Sequence, residues 1–494
     1  MKILFKGHDF KYETEATVKL FVPSRFTFHY DITDADGDIV MSQLKECRQF
    51  TYLFAYCRIN GMKARKAYKI SNESSDINNC EHEICRLIYL CLQKLTGITP
   101  PWGLMTGIRP VKKMSALIEN GMSKGQAFKA LKNKYMVSDR RLELAYMTAV
   151  NQMPLLKQID SDTVSLYVSI PFCPSRCSYC SFVSHSIESA RKLIPDYIRF
   201  LCREIEILGK IIRDLNLKID TVYFGGGTPT SVEASQLNII MKTLSENIDV
   251  SKVREYNVEA GRADTITIDK LKVIKENGAT RISVNPQTLN DEVLKIIGRR
   301  HTAEDTINAF YSARSLGFDN INMDLIAGLP GDSFESFCNT LNKVTELDPE
   351  SITVHTLTIK RSAKLYEENI STFKNNPAYD MVNRSIDILP KKGYMPYYLY
   401  RQKNTLENLE NIGFAKKGKE SFYNIFIMDE TQIILGAGCA ASTKLIESDG
   451  KITRIHNFKF PFEYINRFDE LMKKKELILS LIHISEPTRH AQIS

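Results

Sequence analysis

From Ser165 onward, short β-rich runs alternate with long amphipathic helical stretches, and this alternation constrains the fold more than any other feature of the chain. SLYVSI, TVYF, EYNVEA, RISVN, NINMDLI and SITVHTL are strand candidates, and helical periodicity spans 197–215, 237–247, 268–277, 303–316 and 334–347 between them. Parallel neighbours need a crossover of about a dozen residues, so six such units in series predict a parallel sheet in an α/β fold. Six units fit an open, partial (βα)6 barrel better than a closed eightfold one. In such sheets the chemistry collects at the C-terminal ends of the strands.

The flanking regions differ in texture. The first 160 residues open with TVKLFVPSRFTFHYDI and FTYLFAYCRI, which predict strands, and turn helical from about Glu81. Residues 1–160 hold 24 Lys+Arg against 16 Asp+Glu and the remainder 42 against 42, so the whole net charge of +8 sits in the first third. The run from Arg109 to Arg141 has nine basic residues against two acidic, and reads as a solvated helical face ahead of a site for RNA or another polyanion. Asp34, Asp36 and Asp38 in DADGD partly match a calcium loop, but a Lys stands where the closing Glu belongs, so a strand-linking turn is expected.

After about Arg361 the alternation fades into YYLYRQKN, KESFYNIF and ILGAGCAAST. The expected domains are a basic N-terminal α+β domain at 1–160, the partial barrel at 161–360 and a mixed α+β region at 361–478. LSLIHISEPTR, from Leu479 to Arg489, reads as translated sequencing-adaptor sequence, so 479–494 is expected to be a tail outside the fold.

No run reaches the ~18 apolar residues of a spanning helix, and MKILFKGHDF has no apolar leader region. A cytoplasmic protein without a membrane segment is expected. Eleven cysteines in 494 residues are too sparse for a secreted disulfide framework, and three of them crowd into eight residues. These three, Cys173, Cys177 and Cys180 in IPFCPSRCSYC, follow a strand directly. Three thiolates at C-x3-C-x2-C spacing can hold three corners of a [4Fe–4S] cubane and leave one iron open to an outside ligand. A structural zinc ion is the alternative. It needs a fourth ligand close by, and only His185 is available, at a poor spacing.

YVSIPFCPSRCSYCSF, YFGGGTPT, RISVNPQTLND with GRRHT, and MDLIAGLPGDS occur in the order found in the radical S-adenosylmethionine (SAM) superfamily. The chain resembles the group around oxygen-independent coproporphyrinogen III oxidase and its haem-chaperone relatives, over Ser165 to about Leu357 and more weakly to about Ser442. The N-terminal extension and MTGIRPVK resemble the longer, coproporphyrinogen-dehydrogenase-type branch.

The resemblance implies a [4Fe–4S] cluster on the three cysteines and two SAM molecules per chain. The glycine run with Gly226, Gly227 and Thr228 would hold the methionine end of SAM, its glycines allowing close backbone approach. Tyr167 and Glu259 resemble contacts to the first SAM, and Tyr179, Gln287, Arg299 and Asp324 contacts to the second. Glu259 and Asp324 stand near strand ends, where a carboxylate can accept from ribose hydroxyls or an amino group, and Arg299 can pair with a carboxylate.

The implied reaction is oxidative decarboxylation of coproporphyrinogen III, a tetrapyrrole, to protoporphyrinogen IX without dioxygen, in haem biosynthesis. Electrons would come from a donor such as flavodoxin or ferredoxin. A haem chaperone without oxidase activity is the main alternative, and an RNA-modifying radical enzyme a lesser one. The chain departs from the oxidase pattern at Phe182, where a fourth cysteine is common, and at Ser169, where a histidine is usual. It departs from the chaperone pattern at Tyr423-Asn424-Ile425-Phe426, where chaperones carry HNxxYW.

Overall fold

The computed structural model describes residues 1–22, 25–30, 36–107, 109–160, 162–180, 184–358, 376–402, 405–447 and 450–489, with side chains as far as Leu479. The chain divides into two compact units, Met1–Ala145 with Glu407–Leu409, and Tyr146–Leu406 with Glu410–Ser494. Among the described residues no helix is long and apolar enough to cross a membrane.

The first unit is built from β1 (Lys2–Lys6), α1 (Lys11–Lys19), β2 (Thr27–Tyr30), β3 (Ile39–Glu46), β4 (Phe50–Ile59), β5 (Met62–Ser71) and α2 (Ile77–Thr96). Its sheet runs β2-β1-β3-β4-β5. Alternate residues Leu53, Ala55 and Cys57 of β4 share a core with Ile84, Ile88 and Cys91 of α2, as the period-two pattern of FTYLFAYCRI requires. TVKL, expected as strand, instead ends α1 and the turn after it. Thr14, Thr17 and Val18 are buried at three- and four-residue spacing, so the helical period prevails over the β-branched composition. Asp36 and Asp38 lie in the bend before β3, where Asp38 Oδ1 accepts the Asn60 N–H at 2.8 Å. Asp34 lies outside the described residues.

The basic run occupies α3 (Pro110–Glu119), α4 (Lys124–Tyr135) and the start of α5 (Asp139–Leu156). Lys112, Lys113, Lys129 and Lys134 are exposed, and Lys132 and Lys124 pair with Asp139 at 2.7 Å and Glu143 at 2.8 Å.

The second unit takes in the rest of α5 from Tyr146, then β6 (Thr163–Ile170) and a two-residue parallel pair, β7 (Phe172–Cys173) and β8 (His185–Ser186). There follow α6 (Ile187–Ala190), α7 (Ile194–Asp214), β9 (Lys218–Gly226), α8 (Ala234–Asn247), β10 (Glu255–Gly261) and α9 (Ile268–Glu276). Next come β11 (Arg281–Val284), α10 (Asp291–Ile296), α11 (Ala303–Ser315), β12 (Ile321–Ala327), α12 (Phe334–Leu347) and β13 (Ser351–Thr356). The six expected strands are all present and stand in sequential order β6-β9-β10-β11-β12-β13, every neighbouring pair parallel. Sequential order is the winding of a barrel wall; a doubly wound sheet would reverse partway.

The C-terminal region adds α13 (Ala378–Ile388), β14 (Met395–Arg401), β15 (Glu410–Ala415), α14 (Phe422–Asp429), β16 (Ile434–Ala437), β17 (Ser442–Ile446), β18 (Ile452–His456), α15 (Pro461–Asn466) and α16 (Phe468–Arg489). Its strands extend the same sheet. β16 pairs parallel with β6 as a seventh parallel strand, β17 and β18 continue beyond it, and β15 and β14 close the opposite edge antiparallel. Glu204 of α7 ties this edge together. It accepts from the Gly438 N–H at 2.7 Å, the Tyr464 hydroxyl at 2.6 Å and Asn457 Nδ2 at 2.8 Å, and lies 3.0 Å from Lys475 Nζ, with both charged groups fully buried.

Candidate functional site

Parallel pairing sends every C-terminal strand end to one rim, and the cysteine loop, the glycine run and the GRADT segment all leave from it. Cys173 ends β7, and Cys173 and Cys177 are buried while Cys180 is partly exposed. The loop is pinned by backbone hydrogen bonds: Ser178 N to Ile297 O at 3.0 Å, Cys180 N to Cys177 O at 3.1 Å, and Thr228 N to Phe172 O at 2.8 Å. Cys173 Sγ sits 3.5 Å from Thr228 Oγ1, which brings the first cysteine against the glycine run. Burial pushes the Cys173 thiol up, and hydrogen bonding to Thr228 and Ser184 partly offsets this.

The three glycines differ in what they face. A Cβ on Gly226, whose φ is +108°, would lie 2.7 Å from Ser169 Oγ, and one on Gly227 would lie 2.5 Å from Phe172 O. The close approach at these two is therefore to the chain's own path into Cys173. A Cβ on Gly225 would meet the rings of Tyr223 and Tyr167 at 3.0 and 3.2 Å and Glu259 Oε2 at 3.3 Å, inside the barrel.

Tyr167 and Tyr223 are cross-strand partners on β6 and β9, stacked at 6.1 Å. Tyr423 of α14 stacks on Tyr223 at 4.3 Å, making an aromatic wall of three rings. Tyr223 donates to Glu259 Oε1 on β10. Burial pushes the Glu259 carboxyl up to about 7, against the opposing pull of the Tyr223 hydrogen bond. Two strands along, on β12, Asp324 accepts from Asn322 Nδ2 at 2.7 Å and faces His355 Nε2 at 3.7 Å. Burial alone would raise the Asp324 carboxyl, yet hydrogen bonds from His355, Asn322 and Thr353 hold it below the usual carboxylate range.

The other expected residues form a chain through Asn285. Arg299 Nη1 donates to Asn285 O at 2.6 Å and Nη2 lies 3.4 Å from the Tyr179 hydroxyl, while Asn285 Oδ1 accepts the Asp324 N–H at 3.3 Å. Gln287, held at φ +64°, donates its N–H to Asp324 O at 2.9 Å. Arg299 Nε and Gln287 Oε1 are buried without a protein partner, a donor and an acceptor left for a ligand. Tyr167, Tyr179, Glu259, Gln287, Arg299 and Asp324 thus gather along one rim. Sequence reasoning passed over Tyr223, Asn285, His355 and Arg262, and noted Tyr423 only as a departure from the chaperone pattern. Tyr223 and Asn285 stand inside the quoted YFGGGTPT and RISVNPQTLND motifs, whereas Arg262 and His355 carry no spacing signal.

An all-thiol donor set suits iron and sulfide. A cubane asks for separate corners, one thiolate to each of three irons, which the C-x3-C-x2-C spacing supplies. His185, weighed as a fourth zinc ligand, packs edge-on against Phe460, with ring centroids 6.0 Å apart. Ser169, where the oxidase has histidine, is buried and its carbonyl accepts the Tyr197 hydroxyl at 2.7 Å. Phe182 lies outside the described residues.

Sequential parallel strands with a three-cysteine loop and a glycine turn at their C-terminal rim define a radical SAM protein, and the radical SAM superfamily model matches residues 167–344. The chain belongs to the oxygen-independent coproporphyrinogen III oxidase-like group of that superfamily. It is 41% identical to the oxygen-independent coproporphyrinogen-III oxidase-like protein HemZ of Bacillus subtilis, over 82% of each chain. It is 31% identical to the heme chaperone HemW of Bacillus subtilis, over 56% of this chain and 69% of that one. The solved structure of coproporphyrinogen III oxidase (HemN) from Escherichia coli, described as a radical SAM enzyme, matches with a TM-score of 0.50 at 25% identity, over 64% of this chain and 72% of that one. A [4Fe–4S] cluster and SAM are the cofactors that this family membership implies.

Proposed function

We propose that the protein oxidatively decarboxylates two propionate side chains of coproporphyrinogen III to the vinyls of protoporphyrinogen IX, without dioxygen. The observation that carries this reading over the chaperone reading is the place of the YNIF segment. Where haem chaperones hold HNxxYW, Tyr423 is 4% exposed and stacked on Tyr223 beside Glu259, so the segment would furnish a wall of the proposed SAM site and offers no imidazole to a haem iron.

Cys173, Cys177 and Cys180 would hold the cluster, and Tyr167, Glu259, Thr228 and the glycine run a first SAM. Tyr179, Gln287, Arg299 and Asp324 would hold a second. When bound, the reduced cluster and SAM would supply a 5′-deoxyadenosyl radical for removal of a hydrogen from the propionate β-carbon, and the vinyl is completed by loss of carbon dioxide and transfer of one electron to a one-electron acceptor, which the reaction requires in addition to the donor. Glu259, titrating near neutrality, can accept from ribose hydroxyls in its charged form. Asp324, held charged, can accept from an amino group, and the orphaned Arg299 Nε can donate to a carboxylate. The stacked tyrosines exclude water from the rim where a radical would form. A one-electron donor such as flavodoxin or ferredoxin is required, and all eleven cysteines are unbridged, which supports a reducing, cytoplasmic setting.

The test is anaerobic incubation of the reconstituted protein with SAM, a reductant and coproporphyrinogen III. Protoporphyrinogen IX with methionine and 5′-deoxyadenosine is the expected product set. Stoichiometric haem binding with no porphyrin product would establish the chaperone reading instead.

A further inference from the structure

Arg262 leaves the end of β10 in the GRADT segment and is only 3% exposed. Its Nη1 donates to Ser175 O at 2.9 Å and reaches Cys177 Sγ at 3.7 Å. Its other edge is a two-point fork on Asp264, Nε to Oδ1 at 3.0 Å and Nη2 to Oδ2 at 2.7 Å. Asp264 Oδ1 in turn faces His301 Nδ1 at 3.3 Å, and His301 is 5% exposed. A buried guanidinium is therefore aimed at one thiol and fixed from behind by a carboxylate and an imidazole, from a loop 85 residues away in sequence.

A purely structural arginine has little reason to end on a thiol, because a neutral S–H rewards a buried cation poorly. A thiolate ligating a cluster rewards it well, since the charge-assisted N–H···S contact offsets the desolvation of the guanidinium. Reduction adds one electron to the cluster, and that charge spreads over irons and sulfurs. N–H donors to the sulfurs stabilise the reduced form more than the oxidised one and so raise the potential. Because Asp264 neutralises much of the long-range field of Arg262, the directed hydrogen bond is the part that acts.

We infer that Arg262, oriented by Asp264 and His301, is a positioning residue that raises the reduction potential of the cluster through the Cys177 thiolate. The inference rests on a cluster at Cys173, Cys177 and Cys180 and does not depend on which tetrapyrrole the protein handles.

The test is a potentiometric titration of the full-length, anaerobically reconstituted protein without SAM, using dithionite and mediators and following the reduced cluster by electron paramagnetic resonance. Arg262→Met is expected to keep its iron and to reduce about tenfold less favourably, an order of magnitude set by one charge-assisted hydrogen bond and equal to ~59 mV for one electron. Arg262→Lys keeps a charge without the fork and is expected to fall between. An iron-replete Met variant with the wild-type potential would overturn the inference. Where the Met variant loads no cluster, the Lys variant decides, and an unmoved potential there overturns it equally. A wild-type protein that takes up no iron would overturn the cluster itself, an outcome visible before any variant is made.

Discussion

Tyr223 on β9 donates its phenolic hydrogen to Glu259 on β10, across adjacent parallel strands at the rim of the barrel. The phenol, buried beside that carboxylate, is itself pushed well above its usual range, so it remains a donor at every working pH. The pair therefore has one titrating member, and it titrates near neutrality.

Glu259 has its carboxyl raised from about 4.5 to about 7. Below about 4.5 it is protonated whether the chain is folded or not, and the full pH-dependent stability is present. As pH rises through about 7 the unfolded chain has already released the proton that the folded chain holds, and that stability is lost. Glu259→Gln should remove this slope, with an upper bound of ~3 kcal/mol set by the rise of the carboxyl from about 4.5 to about 7. Tyr223→Phe should move the loss to higher pH, since it removes a contact favouring the charged form. Thermal unfolding of the cluster-free protein between pH 4 and 9 checks both, and parallel curves for wild type and Glu259→Gln would refute the assignment.

The glycines offer a separable pair. Gly227→Ala would drive a methyl to 2.5 Å from Phe172 O, so the segment entering Cys173 must shift, and iron content should fall along with stability by ~1–3 kcal/mol. Gly225→Ala meets ring edges and a carboxylate at 3.0–3.3 Å inside the barrel. It should weaken SAM binding while iron analysis stays near four per chain, as for a single [4Fe–4S] cluster. Equal iron loss in both would show that the two glycines share one role.

The six parallel strands were legible because each is a β-rich run bounded by a helical period long enough to be a crossover, and 334–347 even coincides with α12. β16 was not, since ILGA has four residues before GCAAS and reads as a turn. Only its pairing of Ile434 with Ser165, far back in the chain, makes it a strand. The cysteines were legible from local spacing. Arg262 was hidden for the converse reason: a lone arginine after a strand carries no period, and only the folded rim brings it to Cys177.

The C-terminal edge should hold through Ile478 and no further. Lys475 and Ile478 are fully buried, and Lys475 is the cation facing Glu204. Lys475→Met leaves that buried carboxylate without its counter-charge and should destabilise the protein by ~3–5 kcal/mol. Truncation after Ile478 should leave solubility, melting temperature and iron content unchanged. Differential scanning calorimetry separates the two, and a large loss in the truncated chain would show that residues from Leu479 onward pack against the fold.

Asp324 decides between oxidase and chaperone. Hydrogen bonds from His355, Asn322 and Thr353 keep it charged, it stands on β12, two strands along from Glu259 on β10, and among the described residues none of its hydrogen bonds runs to a cysteine. Arg299 is less suitable for this purpose, because its guanidinium interacts with Cys177 as well as Tyr179. Asp324→Ala should therefore leave the brown colour and iron content intact and abolish protoporphyrinogen IX formation, with kcat reduced at least a hundredfold, the scale of losing one preorganised electrostatic contact. Changing Cys173, Cys177 or Cys180 to Ala should remove iron and reductive SAM cleavage together. A chaperone predicts another pattern: haem bound one to one and passed to an acceptor, indifferent to Asp324→Ala, with no decarboxylation under any reductant. Porphyrin product analysis and haem titration on the same two preparations distinguish these, and wild-type turnover in Asp324→Ala would remove the carboxylate from the reaction.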